Sequence, residues 1–406
     1  MKVLQINAVY RYASTGRTCE ELQKYINDNC GECLTIYGEH KGDFENTIYM
    51  GNVIDHKLHA LFSRISGKVG YYSTLPTLKL FRFIKRYQPD VVHLRVLHSN
   101  FINIPMLLKF LGRYDIATVV TLHDCFMYTG KCCHYVDVIC DKWQNQCSAC
   151  PSYKEWNQTW FFDRTKKMFR DKYIGFENIK RLAIVGVSEW ISSEAKKSIV
   201  LGSRNITTIY NWINLDVFKP RKNNIKARLG IQEKFMIFGV ASDWSNKKGL
   251  CDFLELAEKL SNDYAVVLIG KLPNNIDLPK NIVSIPRTTD MVELSNYYSA
   301  ADVFLQLSRQ ETFGKVTAEA LACGTPIIVY NNTANAEMAV DGCGYCIDRT
   351  GDVDEVMKYI NVIREAVDEP WEQRCRERAK KLFDYTSNCQ KYIDLYRKLM
   401  NERGMF

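Results

Sequence analysis

The sequence predicts an α/β protein built from two doubly wound parallel sheets, and three observations carry that expectation. Short apolar, β-prone runs alternate with helix-period segments along most of the chain. The alternation breaks once, at the polar, proline-bearing residues 218–224 (FKPRKNN), and then restarts. A chain of 406 residues, 46% hydrophobic and 12% aromatic, can bury two real cores. Residues 1–217 are therefore expected as a first domain, 218–384 as a second, and 385–406 as a C-terminal helix.

In the first domain, strands are expected at residues 3–7, 33–37, 91–94, 118–122 and 183–187, with a helix over 18–29. The loop after the first strand holds Gly16, where backbone N–H groups at a helix start can approach a phosphate or a sugar; a lone glycine is as readily a simple turn. His93 closes one strand and His98 follows it. Both are acceptor-side candidates, although a strand-end histidine is more often structural. His123-Asp124 stands at the carboxyl end of the strand at 118–122, where open α/β sheets place their ligand crevices.

Residues 130–151 follow directly and carry Cys132, Cys133, Cys140, Cys147 and Cys150, five of the fifteen cysteines. Cys133, Cys140, Cys147 and Cys150 are the expected ligands of a tetrahedral zinc that staples a loop without a core. The alternative is thiol pairs or reversible disulfides.

In the second domain, strands are expected at 235–240, 265–269, 282–285, 303–307 and 327–330. After the first of them Lys247 and Lys248 sit beside Gly249 at a helix start, which suits a diphosphate, although surface lysines are common. Residues 303–330 form one βαβ unit. Its first loop holds Glu311, Gly314 opens a helix, and Gly324-Thr325-Pro326 ends it. The N–H groups of Gly314, Lys315 and Val316 lie where a helix N-terminus presents them to an anion. Glu311 can be read as a helix cap and Glu319 as a solvated residue. Yet Glu319 lies among Ala318, Ala320, Leu321, Ala322 and Cys323, a setting in which an unpaired carboxylate is costly.

Glu311, seven residues, then Glu319, with Phe313-Gly314 and the Ala322-Cys323-Gly324-Thr325-Pro326 ending, resemble the EX7E signature of the retaining GT-B glycosyltransferases of family 4. The resemblance implies two Rossmann-like domains facing a central cleft, the first for the acceptor and the second for a nucleotide-diphosphate sugar. His123, Lys248 and Glu311 are then catalytic. Gly16, Lys247, Lys248, Phe313, Gly314, Lys315, Val316 and Glu319 bind the donor, with no catalytic metal. The C-terminal helix returns to the first domain. Many relatives carry arginine where Ser242 stands here, so Lys247 is the candidate for the second positive charge. Similar Cys-rich loops occur in colanic-acid and capsule-type enzymes, and the implied acceptor is a saccharide or one linked to polyprenyl diphosphate. The other readings are a catalytically silent sugar-nucleotide-binding or regulatory relative, and a phosphorylase or epimerase on the same fold.

The net charge of +8 is too dispersed to call for nucleic acid. Residues 78–87 and 164–181 interleave Lys and Arg with aromatics at helical spacing, and the second run is expected to touch anionic lipid. The longest apolar runs are strand-length and the N-terminus leads straight into a strand, so the chain is expected in the cytoplasm, peripheral at the inner face of the membrane.

Overall fold

The structure, a computed structural model, describes residues 1–155 and 157–402. It divides into two compact units, Met1–Tyr210 with Thr386–Phe406, and Asn211–Tyr385. The polar stretch at 218–224 lies just inside the second unit, opening on a buried Phe218.

The first unit holds β1 (Lys2–Val9), β2 (Glu32–Glu39), β3 (Thr47–Tyr49), β4 (Val91–Leu94), β5 (Ala117–Leu122), β6 (Leu182–Gly186) and β7 (Asn205–Thr208). They form one parallel sheet in the order β3-β2-β1-β4-β5-β6-β7. Every residue of β4, β5 and β6 is buried, because helices cover both faces of a parallel sheet; such strands read as near-continuous apolar runs. The second unit holds β8 (Phe235–Asp243), β9 (Tyr264–Lys271), β10 (Ile282–Ile285), β11 (Val303–Gln306), β12 (Ile327–Tyr330) and β13 (Gly344–Ile347). Their order, again all parallel, is β10-β9-β8-β11-β12-β13. The direction of winding reverses between β1 and β4 in the first sheet and between β8 and β11 in the second. The loops leaving those strands therefore splay apart, which opens a crevice at each switch point.

The C-terminal helix Tyr385–Asn401 packs on the first unit. Tyr396 Oη lies 2.8 Å from His93 Nδ1, and His93 Nε2 lies 2.7 Å from Thr121 Oγ1, which meets Tyr392 Oη at 3.0 Å. Burial, helped by the Arg95 guanidinium, pushes the His93 pKa well down and keeps the ring neutral. His93, an acceptor-side candidate from its strand-end position, is thus a fastening between β4 and the last helix. Among the described residues, no helix is long and apolar enough to cross a membrane.

Candidate active site

At the switch point of the second sheet, the end of β8 leads into a single 3-10 turn, Asn246–Lys248, closed by bonds from the N–H groups of Lys248 and Leu250 to Ser245 O at 2.9 and 3.1 Å. Gly249 then takes φ +78°, and a Cβ there would stand 2.4 Å from Leu307 O. Only glycine lets the turn press against the end of β11. The close approach brings Lys248 Nζ to 2.5 Å from Glu311 Oε1, with the lysine side chain 40% and the glutamate 19% exposed.

The loop carrying Glu311 is held from three sides. Arg309 donates its N–H to Lys247 O at 2.9 Å and its Nη2 to Asp252 Oδ1 at 2.7 Å, while Tyr330 Oη donates to Asp252 Oδ2 at 2.7 Å. The Glu311 N–H donates to Thr333 Oγ1 at 2.9 Å, and Asn332 Nδ2 donates to Ser308 O at 3.0 Å. Asp252, Arg309 and Tyr330 are far apart in sequence, and no motif marked them.

Gly314, at φ +77°, is the N-cap of the helix Lys315–Ala322, and a Cβ there would overlap Asn335 Oδ1 at 2.1 Å. The helix starts with no acidic residue in its first turn and no side-chain cap on its N–H groups, so its positive end suits an anion. Asn335, also unmarked by the sequence, is fully buried beside it and its Nδ2 has no partner among the described residues. Phe313 is buried against Phe383, ring centroids 5.5 Å apart, so its side chain belongs to the core. Glu319 is buried, and Tyr298 Oη donates to its Oε2 at 3.1 Å. Lys247 is exposed on the 3-10 turn.

In the first unit the helix after β1 runs Ala13–Asn29, several residues earlier than expected. Gly16 sits in its first turn with its N–H donated to Tyr12 O at 3.1 Å, and a Cβ would crowd Arg11 N at 3.1 Å. Its N–H is thus used within the turn, and the glycine packs closely against the β1 loop. At the ends of β4 and β5, Arg95, His98, His123 and Asp124 line one small pocket with Phe126. His98 Nε2 lies 2.9 Å from Asp124 Oδ2, whose partner oxygen accepts the Phe126 N–H at 2.8 Å. Burial opposes a charge on His98, but Cys133 and Asp124 outweigh it and raise the pKa well above the ordinary value. Burial and Arg95 push His123 the other way, so it stays neutral. Arg95 itself is 2% exposed and donates Nη2 to Thr18 Oγ1 at 2.7 Å.

The cysteine loop departs from the expected grouping. Cys132, Cys140, Cys147 and Cys150 line one cavity. Cys133 is turned away, its sulfur grouped with His98 and Asp124, the ligand atoms all within 4.8 Å of one another. The structure thus groups Cys132, and not the Cys133 expected from spacing, with Cys140, Cys147 and Cys150, because spacing does not fix which of two adjacent side chains points inward.

Comparison with known proteins bears on the family and fold of both halves of the chain. Residues 16–217 match the model of Glycosyltransferase Family 4, and residues 221–382 match that of Glycosyl transferases group 1. WcaC of Escherichia coli (strain K12), named as a colanic acid biosynthesis glycosyl transferase, is 21% identical over 338 residues, 79% of this chain and 80% of that protein. The alpha-monoglucosyldiacylglycerol synthase of Acholeplasma laidlawii is 25% identical over 327 residues, 74% of this chain and 75% of its own. The structure of Anabaena Alr3699/HepE in complex with UDP superposes with a TM-score of 0.68 at 14% identity, covering 98% of this chain and 100% of that one. With both halves of the chain accounted for by transferase models and two Rossmann-like sheets of the matching architecture, this protein belongs to the GT-B glycosyltransferases of family 4.

Proposed function

We propose that the enzyme is a retaining glycosyltransferase that moves a sugar from a nucleotide-diphosphate sugar to a lipid-linked saccharide during surface polysaccharide synthesis. The observation that carries this is the Lys248–Glu311 pair at the second switch point. It sets a cation against a carboxylate on the same unit as the uncapped helix start at Gly314, which supports a site for a charged sugar donor there. The second unit is assigned the donor and the first the acceptor.

In a retaining transfer the acceptor hydroxyl arrives on the face from which the diphosphate departs, so the growing negative charge must be held close to the reacting carbon. Lys248, Lys247 and the N–H groups of Gly314, Lys315 and Val316 are the groups assigned to that charge. Glu311 takes the donor sugar's hydroxyls and Glu319 the ribose hydroxyls. His123, held neutral, is assigned a hydrogen bond near the transferred sugar rather than a charge contact. A panel of nucleotide sugars read by thermal shift identifies the donor, because a ligand bound only by the folded state raises apparent stability. NMR of the product then reads the anomeric configuration. Inversion rejects the retaining mechanism, and turnover with free phosphate in place of an acceptor favours a phosphorylase.

The lipid-linked acceptor is supported by the surface of the first unit. The helix Val53–Ser66 exposes Val53, Ile54, Leu58, Leu61 and Phe62. Beside its end stand Trp160, Phe161 and Phe162, joined to it by the Trp160 N–H on Arg64 O at 2.7 Å. The expected membrane run at 164–181 contributes charge instead. In the helix Thr165–Glu177 the apolar Met168, Phe169 and Phe176 are buried, whereas Arg164, Lys166 and Arg170 border an open cleft. Apolar side chains beside a basic rim suit an anionic lipid surface at the inner face of the membrane. Replacing Arg164, Lys166 and Arg170 by Gln should weaken binding to acidic vesicles by roughly 1 kcal/mol per residue, and salt should weaken the wild type steeply. Equal sedimentation with neutral vesicles would assign these residues to solvent.

A further inference from the structure

The loop between β5 and β6 runs from residue 123 to the helix Thr165–Glu177, and its only described regular elements are two single-turn 3-10 helices, Val136–Val138 and Lys142–Gln144. So long a segment without ladder hydrogen bonds needs another source of order. At its centre lies the cavity lined by Cys132, Cys140, Cys147 and Cys150. We propose that these four cysteines hold one zinc ion as thiolates, in a structural site that staples this loop and is separate from the transfer chemistry.

Three further features of the loop fit a metal centre. Cys147 and Cys150 form a tight knuckle, with Ala149 at φ 45°, and the Gly130 N–H donates to Cys147 Sγ at 3.1 Å. Lys142 Nζ braces the same turn through Ala149 O at 3.0 Å, while Trp143 Nε1 holds Cys140 O at 2.8 Å. The second feature is charge. Lys131 and Lys172 are 1% and 5% exposed, and their ammonium groups donate only to carbonyls and one hydroxyl, with no carboxylate ion pair among the described residues. Asp163 acts on Lys131 and Asp124 on Lys172 without forming an ion pair with either, so a nearer counter-charge would stabilise both buried cations. Zinc with four thiolates carries a net charge of −2 and supplies it. The third is packing. Tyr135 and Trp143 are buried together at a 30° tilt with centroids 4.6 Å apart, packing of the kind that keeps solvent from a structural metal site. On binding, each thiol gives its proton to solvent and the metal stays Zn²⁺, so no electron acceptor is required.

The full chain, purified without chelator, should contain about one zinc per chain by elemental analysis. Cys132→Ser should lower zinc content severalfold, while Cys133→Ser, which alters the His98–Asp124 group instead, should leave it unchanged. If Cys132→Ser does not fold, the wild type decides: exchange of its metal for Co²⁺ should give the intense thiolate-to-cobalt absorption of a tetrahedral four-sulfur site. Protein free of zinc that also fails to take up added Zn²⁺ would overturn the proposal. So would loss of zinc in Cys133→Ser, a one-sulfur cobalt spectrum, or disulfides among the four cysteines found by mass spectrometry under non-reducing conditions.

Discussion

Lys248→Ala should lower kcat by on the order of 10²–10³-fold while raising the donor KM much less, the loss expected when one group stabilising transition-state charge is removed. The lysine is fixed by a glycine turn against the end of β11 and already faces an anion, Glu311 Oε1 at 2.5 Å. With the donor bound, the diphosphate oxygens compete for the same ammonium, and their charge rises as the sugar leaves. A merely structural pair predicts a different result. Both side chains reach solvent, so deleting the contact would cost about 0–1 kcal/mol of stability and leave kcat intact. Lys248→Arg keeps the charge but not the compact donor geometry, and should recover only part of the rate. Glu311→Gln should change kcat and KM together, because hydroxyl contacts to the sugar are made in both ground and transition states. Steady-state kinetics with the donor found in the nucleotide-sugar panel separates these cases. A folded Lys248→Ala enzyme with near-normal kcat would remove Lys248 from the mechanism.

The alternation of strand and helix was legible because the central strands are covered on both faces and therefore read as near-continuous apolar runs. The strands that escaped notice are the edges. Thr47–Tyr49 has three half-buried residues, Asn205–Thr208 is polar, and Gly344–Ile347 opens on a glycine whose φ is +151°. Edge strands lack the second covering layer that makes a central strand apolar. Strand order is carried by tertiary packing, so neither switch point was visible. Lys248, Glu311, Gly314 and Glu319 stood out because turn and helix-start chemistry is local. Asp252, Arg309, Tyr330 and Asn335 position them through contacts across the sheet, which no short window of sequence contains. Cys132 was passed over for its neighbour Cys133, and His93 turned out to serve the C-terminal helix, both for the same reason: orientation within a loop or at a strand end is decided by partners distant in the chain.

Glu319→Ala should weaken binding of the donor nucleotide by about 1.5–3 kcal/mol, or roughly 10- to 150-fold in Kd, the range for a hydrogen bond to a charged group. The carboxylate is 6% exposed, on a helix whose neighbouring residues are all buried. Tyr298 Oη donates to Oε2 at 3.1 Å, and burial raises the tyrosine's pKa well above its ordinary value, so it remains a donor. An ionised carboxylate has about four acceptor positions, of which the Tyr298 hydroxyl fills one. Alanine would also strand the buried Tyr298 hydroxyl and lower stability, which calls for two companion variants. Glu319→Gln keeps an acceptor for Tyr298 but loses the charge, and should stay folded while binding nucleotide less tightly than wild type. Tyr298→Phe removes the donor and keeps the carboxylate, so its nucleotide affinity should stay close to wild type even where its Tm falls. Calorimetric titration with the nucleoside diphosphate alone reads affinity without catalysis. If Glu319→Gln binds like wild type and only its stability drops, the carboxylate serves the Tyr298 contact and not the ribose.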